Sequence, residues 1–133
     1  MADIETLEKV RELFRNDRFA TEMGAVIDEI DDHYAKVSLV LNEHHKNAVG
    51  GVMGGVYFTL ADFAFAVASN WQQQGVVGLN CDASFIGLPK TERIIAEAEL
   101  VKDGRTICCY DVKIHDELGN TIATVQCLGF RKA

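Results

Sequence analysis

Residues 47–70 read "NAVGGVMGGVYFTLADFAFAVASN". Two glycine pairs, Gly50-Gly51 and Gly54-Gly55, precede an apolar run that holds a single carboxylate, Asp62. From residue 54 to about residue 72 the run predicts a helix that is apolar nearly all round, and a helix without a broad polar stripe is a buried one. A charge in its middle costs free energy unless something compensates it. The helical neighbours of Asp62 at i−4, i−3, i+3 and i+4 are Phe58, Thr59, Phe65 and Ala66, of which only Thr59 is polar. An acid in apolar surroundings holds its proton more tightly and is a stronger base than one in water. A general base or nucleophilic carboxylate needs that property near neutral pH. The plainer reading is an Asp that caps a neighbouring loop or reaches solvent through a gap. On spacing alone the two stand level.

The glycine pairs bear on the same question. Glycine lets backbone approach a ligand closely, and the first N–H groups of a helix have no intrahelical partner. With the helix dipole behind them, those donors hold an oxyanion or a polarised carbonyl. Gly54 stands where the first turn begins, and Asp62 lies a little over two turns on.

Outward from this segment the pattern changes. Ile4, Leu7, Val10, Leu13 and Phe14 recur at helical spacing, which predicts an amphipathic helix over residues 4–16 with Asp3 as N-cap. From Ala25 to Leu41 the residues alternate as a strand pair, with "DEIDDH" (28–33) as the turn and "NEHHKNAVGG" as a following loop. After the helix come "VVGLNCDASFIG", "RIIAEAELVK", "RTICCYDVKIHD" and "TIATVQCLGFRK", all strands. Asp103-Gly104 marks a hairpin between the second and third, and "ELGN" leads into the last. Residues 1–133 read as a single domain, with the N-terminal amphipathic helix in residues 1–18. Five or six strands and one apolar helix make an α+β fold, an antiparallel sheet wrapped around that helix. A sheet covers only part of such a helix, so a second subunit is expected to cover the rest.

Composition narrows the function classes. Apolar residues make up 48% of the 133, and there is a single Pro, the mark of a folded chain. A net charge of −7 argues against nucleic acid or an anionic membrane as partner. The N-terminus "MADIETLEKVRELF" has no apolar signal-peptide core, and the run from Gly54 to Ser69 is short for a membrane span. Cys81, Cys108, Cys109 and Cys127 show no C-x-x-C spacing and read as free thiols in a reducing cytoplasm. No His pair at i, i+4 is present and no Cys lies near His44-His45, so no metal site is expected.

Asn47, Gly50, Gly54-Gly55 and Leu60-Ala61-Asp62 together resemble the N-x-x-G-x-x-[H]-G-G…LAD pattern of the hotdog-fold acyl-CoA thioesterases of the phenylacetate-pathway (PaaI-like) group. The helix "FAFAVASN", the strand "DASFIGLP" and the long C-terminal hairpins fall in that family's order, so the resemblance covers roughly residues 20–131. It implies a hotdog fold and a thioester hydrolase needing no cofactor, with coenzyme A entering as part of the acyl-CoA substrate. Asp62 would be nucleophile or general base, the Gly54 N–H would polarise the carbonyl, and Asn47 would orient the water or thioester. Gly55 and the residue before Gly54 would border the substrate. The resemblance further implies a homodimer or tetramer, with each site built from two subunits.

The chain departs from the pattern at Met53, where the family usually has His. A thioether neither donates a hydrogen bond nor biases the field as an imidazole does. Met53 therefore favours an alternative, a non-catalytic protein binding acyl thioesters or another small ligand. A hotdog dehydratase or hydratase would need a positioned His, and only His44 or His45 is near. Both read as solvated loop residues, and His33 and His115 as surface residues beside acids. Asn80, Asp82 and Ser84 alternate on one strand, and Asn80 is a candidate substrate contact because a polar residue there faces the site in several family members. Cys81 reads as a buried hydrophobe. Phe58, Phe63, Phe65 and Trp71 are core residues or acyl-pocket walls. Lys90, Arg93, Arg131 and Lys132 are solvated charges or partners for the phosphates of coenzyme A.

Overall fold

The computed structural model describes residues 1–132. Six strands form one antiparallel sheet: β1 (Val26–Asp31), β2 (Tyr34–Val40), β3 (Val76–Phe85), β4 (Arg93–Asp103), β5 (Ile107–Asp116) and β6 (Thr121–Arg131). Their order is β1-β2-β4-β5-β6-β3, so β3 has one neighbour and a free edge. Helices α1 (Ile4–Phe14) and α2 (Arg18–Glu22) precede the sheet, and α3 (Gly54–Asn70) crosses between β2 and β3. This is the α+β hotdog arrangement that the sequence implies. No helix among the described residues is long and apolar enough to cross a membrane.

The period-2 alternation on β4, β5 and β6 sends one residue in two toward α3. Ile94, Ala96, Ala98, Tyr110, Ile114, Ile122 and Cys127 are fully buried there. Facing them, Leu60, Ala61, Ala64 and Val67 of α3 are buried as well. Burying side chains of the size of Leu or Ile contributes roughly 1.5–3 kcal/mol each, so this layer carries the stability. Small residues let helix and sheet approach. A Cβ on Gly129 of β6 would meet Val76 at 2.6 Å and the Phe65 ring at 2.9 Å.

Three local expectations need correction. The acidic stretch at 28–33 is mostly strand: β1 runs to Asp31, with Ile30 inside and a bulge between Ile27 and Glu29. Glu29 pairs with Lys36 at 3.2 Å, and Asp28 lies 3.3 Å from Arg93, an ion contact without a hydrogen bond to its buried Oδ2 among the described residues. Only Asp32 and His33 turn, with His33 at φ 50°. At the β4–β5 hairpin, Asp103 still pairs with Cys108, so the connection is residues 104–106 rather than Asp103-Gly104. The N-terminal helix ends at Phe14, and α2 follows after a break. Asp3 caps α1 as expected, accepting from the Thr6 N–H at 2.8 Å.

Candidate active site

The loop before α3 is held by its own polar side chains. Asn42 caps a short 3-10 turn over Glu43–His45, accepting from the His44 N–H at 2.8 Å. His45, expected in solvent, is 3% exposed. Its Nδ1 accepts from the Asn42 N–H at 2.9 Å, which leaves the proton on Nε2 to donate to the Met23 carbonyl at 2.7 Å. Both ring nitrogens are thus engaged in structure, whereas His44 is exposed. The His45 carbonyl accepts from the Met53 N–H at 2.9 Å and so sets the start of α3.

Asn47 closes the next turn. Its Oδ1 accepts from the N–H groups of Val49 and Gly51, each at 3.0 Å, a side-chain mimic of a backbone turn. Gly50 takes φ 86° within it, a conformation glycine adopts without strain. The Asn47 oxygen is therefore engaged, while its Nδ2 makes no hydrogen bond among the described residues, on a side chain of an exposed residue.

At the head of α3 the N–H groups of Gly54 and Gly55 make no hydrogen bond among the described residues, as the first donors of a helix do not. Gly54 is half-buried and Gly55 exposed, so both donors are reachable. The Phe85 ring packs where a Gly54 side chain would stand, 3.2 Å from an added Cβ. Met53 precedes the helix with no side-chain cap and is 58% exposed.

One stripe of α3 stays uncovered. Gly55, Phe58, Thr59 and Asp62 lie along it, three or four residues apart, while the opposite face is buried. The sequence predicts a helix apolar all round, yet a single chain leaves this stripe open. Asp62 sits in a pocket of about 390 Å³ whose walls include Asp17, Arg18, Phe19, Phe58 and Phe63. Its carboxylate reaches solvent on one side and is crowded by protein on the other. Burial raises the Asp62 carboxyl above its ordinary value, and the charge of Asp17 adds to the rise. Among the described residues neither hydrogen bond nor ion pair compensates it.

Asn80 is not on this side of the sheet. Strand β3 turns Cys81 and Ala83 toward the core, opposite buried Cys127 and Val125, so Asn80, Asp82 and Ser84 point to the outer face. A bulge between Gly78 and Asn80 sets that phase, and it is not readable from composition. Cys81 lies 3.3 Å from the sulfur of Cys127, and burial raises both thiols. Phe63 and Phe65 are core residues at 2% exposed, whereas Phe58 borders the pocket. Trp71 donates to the Asp31 carbonyl at 2.8 Å.

His33 and His115, expected at the surface, are half-buried and bonded. His33 Nδ1 lies 3.1 Å from the Tyr110 hydroxyl, and His115 Nε2 lies 2.8 Å from Glu97. Of the cations weighed for phosphates, Arg93 pairs with Asp28 and Arg131 with Asp103. Sequence reasoning missed Asp17, Arg18 and Phe19 as neighbours of Asp62. They are more than forty residues away in sequence, and no spacing rule connects them.

Residues 49–123 match the thioesterase superfamily. An Archaeoglobus fulgidus protein named "Putative esterase" is 32% identical over 124 residues, covering 90% of this chain and 79% of the relative. The acyl-coenzyme A thioesterase PaaI of Escherichia coli K12 is 29% identical over 113 residues, covering 84% and 80%. The solved structure of the E. coli PaaI protein from the phenylacetic acid degradation operon superposes with a TM-score of 0.88 at 26% identity, over 96% of this chain and 94% of that one.

Proposed function

As the chain belongs to the thioesterase superfamily and is by that membership a thioester hydrolase, we propose that it cleaves an acyl- or aryl-acyl-coenzyme A to the free acid and coenzyme A, with Asp62 as nucleophile or general base and the Gly54 N–H polarising the carbonyl. The observation that carries the reading is an uncompensated, proton-hungry carboxylate and two unbonded helix N–H groups on α3, both left open by a single chain. Eight helical residues hold them about 12 Å apart, so the Gly54 that serves one Asp62 is that of a second copy.

With Asp62 as general base, it takes a proton from water as the water oxygen bonds to the carbonyl carbon. The carbonyl oxygen gains charge and is held by the Gly54 N–H of a second copy. Collapse breaks the C–S bond, and the proton passes to the departing thiolate. With Asp62 as nucleophile, its oxygen forms a mixed anhydride, thiolate leaves, and water then releases the acid. Thioester and water balance both routes, so neither needs a metal or redox group. The free Asn47 amide suits orienting the water or the thioester oxygen. Gly55 and Met53 border the substrate at the head of α3, and Asn80 is left out.

The uncovered stripe and the free edge of β3 support a site completed by a second copy, in a homodimer or tetramer. That edge is ten residues long and carries exposed Val77, Leu79 and Phe85, a surface that soluble proteins pair or cover. Light scattering at micromolar concentration should give a dimer or larger, and a monodisperse monomer would contradict this. A cytoplasmic location is proposed with it, for a chain with four free thiols.

A thiol-release assay over aryl-, short-chain and long-chain acyl-CoAs tests the reaction, run beside Asp62→Asn. Release in the wild type, reduced by about 10²–10⁴-fold in the variant, is expected. Met53 favours a second reading, a protein that binds an acyl thioester without cleaving it. Ligand-induced stabilisation with no release from any substrate would select that reading.

A further inference from the structure

Asp17 stands last of the three residues between α1 and α2, where it is the N-cap of α2. An Asp in that position ordinarily accepts from the first N–H groups of the helix. Here its side chain makes no cap bond, and among the described residues it has neither hydrogen-bond nor ion-pair partner. Asp17 lines the pocket that holds Asp62.

The fold fixes that placement. Phe14, the last residue of α1, packs edge-on against Phe63 with ring centroids 6.4 Å apart, and Phe63 follows Asp62 directly. The Asp17 N–H donates to the Phe14 carbonyl at 3.0 Å. The Asp17 carbonyl accepts from the Thr21 N–H at 3.0 Å and from the Thr21 hydroxyl at 3.1 Å. A backbone held from both sides keeps the Asp17 Cα at the wall of this pocket.

We propose that Asp17 is a positioning residue for the hydrolysis, held in the wall of the Asp62 pocket by its backbone bond to Phe14 and the Phe14–Phe63 contact so that its charge sets the pH at which Asp62 works. The inference rests on the reading of Asp62 as the working carboxylate. Two like charges in one pocket disfavour joint ionisation, so the group that must take up a proton does so more readily. The charge of Asp17 acts on Asp62 in this sense. The other charged group in the pocket is Arg18, which leans toward Glu22 at 4.0 Å. From the sheet, the thiols of Cys81 on β3 and Cys127 on β6 lie within reach of the Asp62 charge, and burial keeps both protonated at neutral pH.

The test is the pH profile of kcat/KM for the full-length protein, with the best acyl-CoA from the substrate panel, in wild type, Asp17→Asn, Asp17→Glu and Asp62→Asn. Burial also raises the Asp17 carboxyl, so Asp17→Asn should melt no lower than the wild type at pH 7, and Asp17→Glu should melt as the wild type does. Asp17→Asn should move the acid limb to lower pH by about half a unit while the plateau kcat stays within about twofold. Asp17→Glu, which keeps the charge, should hold the limb near its wild-type place. An acid limb unmoved in Asp17→Asn, with Asp62→Asn inactive, overturns this inference alone. An active Asp62→Asn overturns the reading of Asp62 and this inference with it.

Discussion

The two faces of α3 were made by opposite rules. On one, Leu60, Ala61, Ala64 and Val67 are sealed against the sheet, with no polar group to satisfy. On the other, Gly55, Phe58, Thr59 and Asp62 stand open, with a charge that has no partner and is partly desolvated by its neighbours. The first face lowers the free energy of the fold, whereas the second raises it locally. A residue that costs stability without a structural partner marks the place where a protein does something other than fold.

The sealed face should break first. Leu60→Ala removes a fully buried side chain and should destabilise by about 2–5 kcal/mol, read by chemical denaturation. The rate per folded molecule should change far less. A smaller effect is expected at Asp116, a buried acid at the end of β5. Burial alone would push its carboxyl up, but the Asn120 side chain and the N–H groups of Lys90, Asn120 and Leu118 hold it down at about 2. A folded value below the ordinary 3.8 means stability present above pH 3.8 and lost as pH falls toward 2. Asp116→Asn should therefore lower the melting temperature at pH 7, with the difference shrinking between pH 4 and pH 2. The smallest of these three effects is at Met53, before the head of α3. Met53→His adds a donor beside Gly54 at an exposed site and should raise kcat/KM by about fivefold, the worth of one hydrogen bond of about 1 kcal/mol. Its melting temperature should not move.

The sealed face was legible in the sequence because burial follows backbone period. The apolar run of α3 and the alternation in β4 to β6 each report their own structure. The strand within "DEIDDH" was hidden because one inward residue, Ile30, is too little to show a period among five polar ones. His45 and Asp116 were hidden for another reason. Their burial is satisfied by backbone groups at Met23, Asn42 and Lys90, contacts that exist only once the chain has folded. At the site, Gly54 and Asp62 are linked by helical spacing and could be read together. Asp17 could not, since tertiary packing alone brings α1 to α3.

The most direct measurement is the melting temperature of Asp62→Asn at pH 7 and pH 3, taken beside its thiol release. The Asp62 carboxyl is raised in the fold, so its ionised form costs stability above that raised value and nothing below the ordinary 3.8. The expected variant loses thiol release by about 10²–10⁴-fold, melts higher than wild type at pH 7, and melts the same at pH 3. A variant that keeps its activity, or that melts lower at pH 7, would show Asp62 to be part of the scaffold and contradict the account.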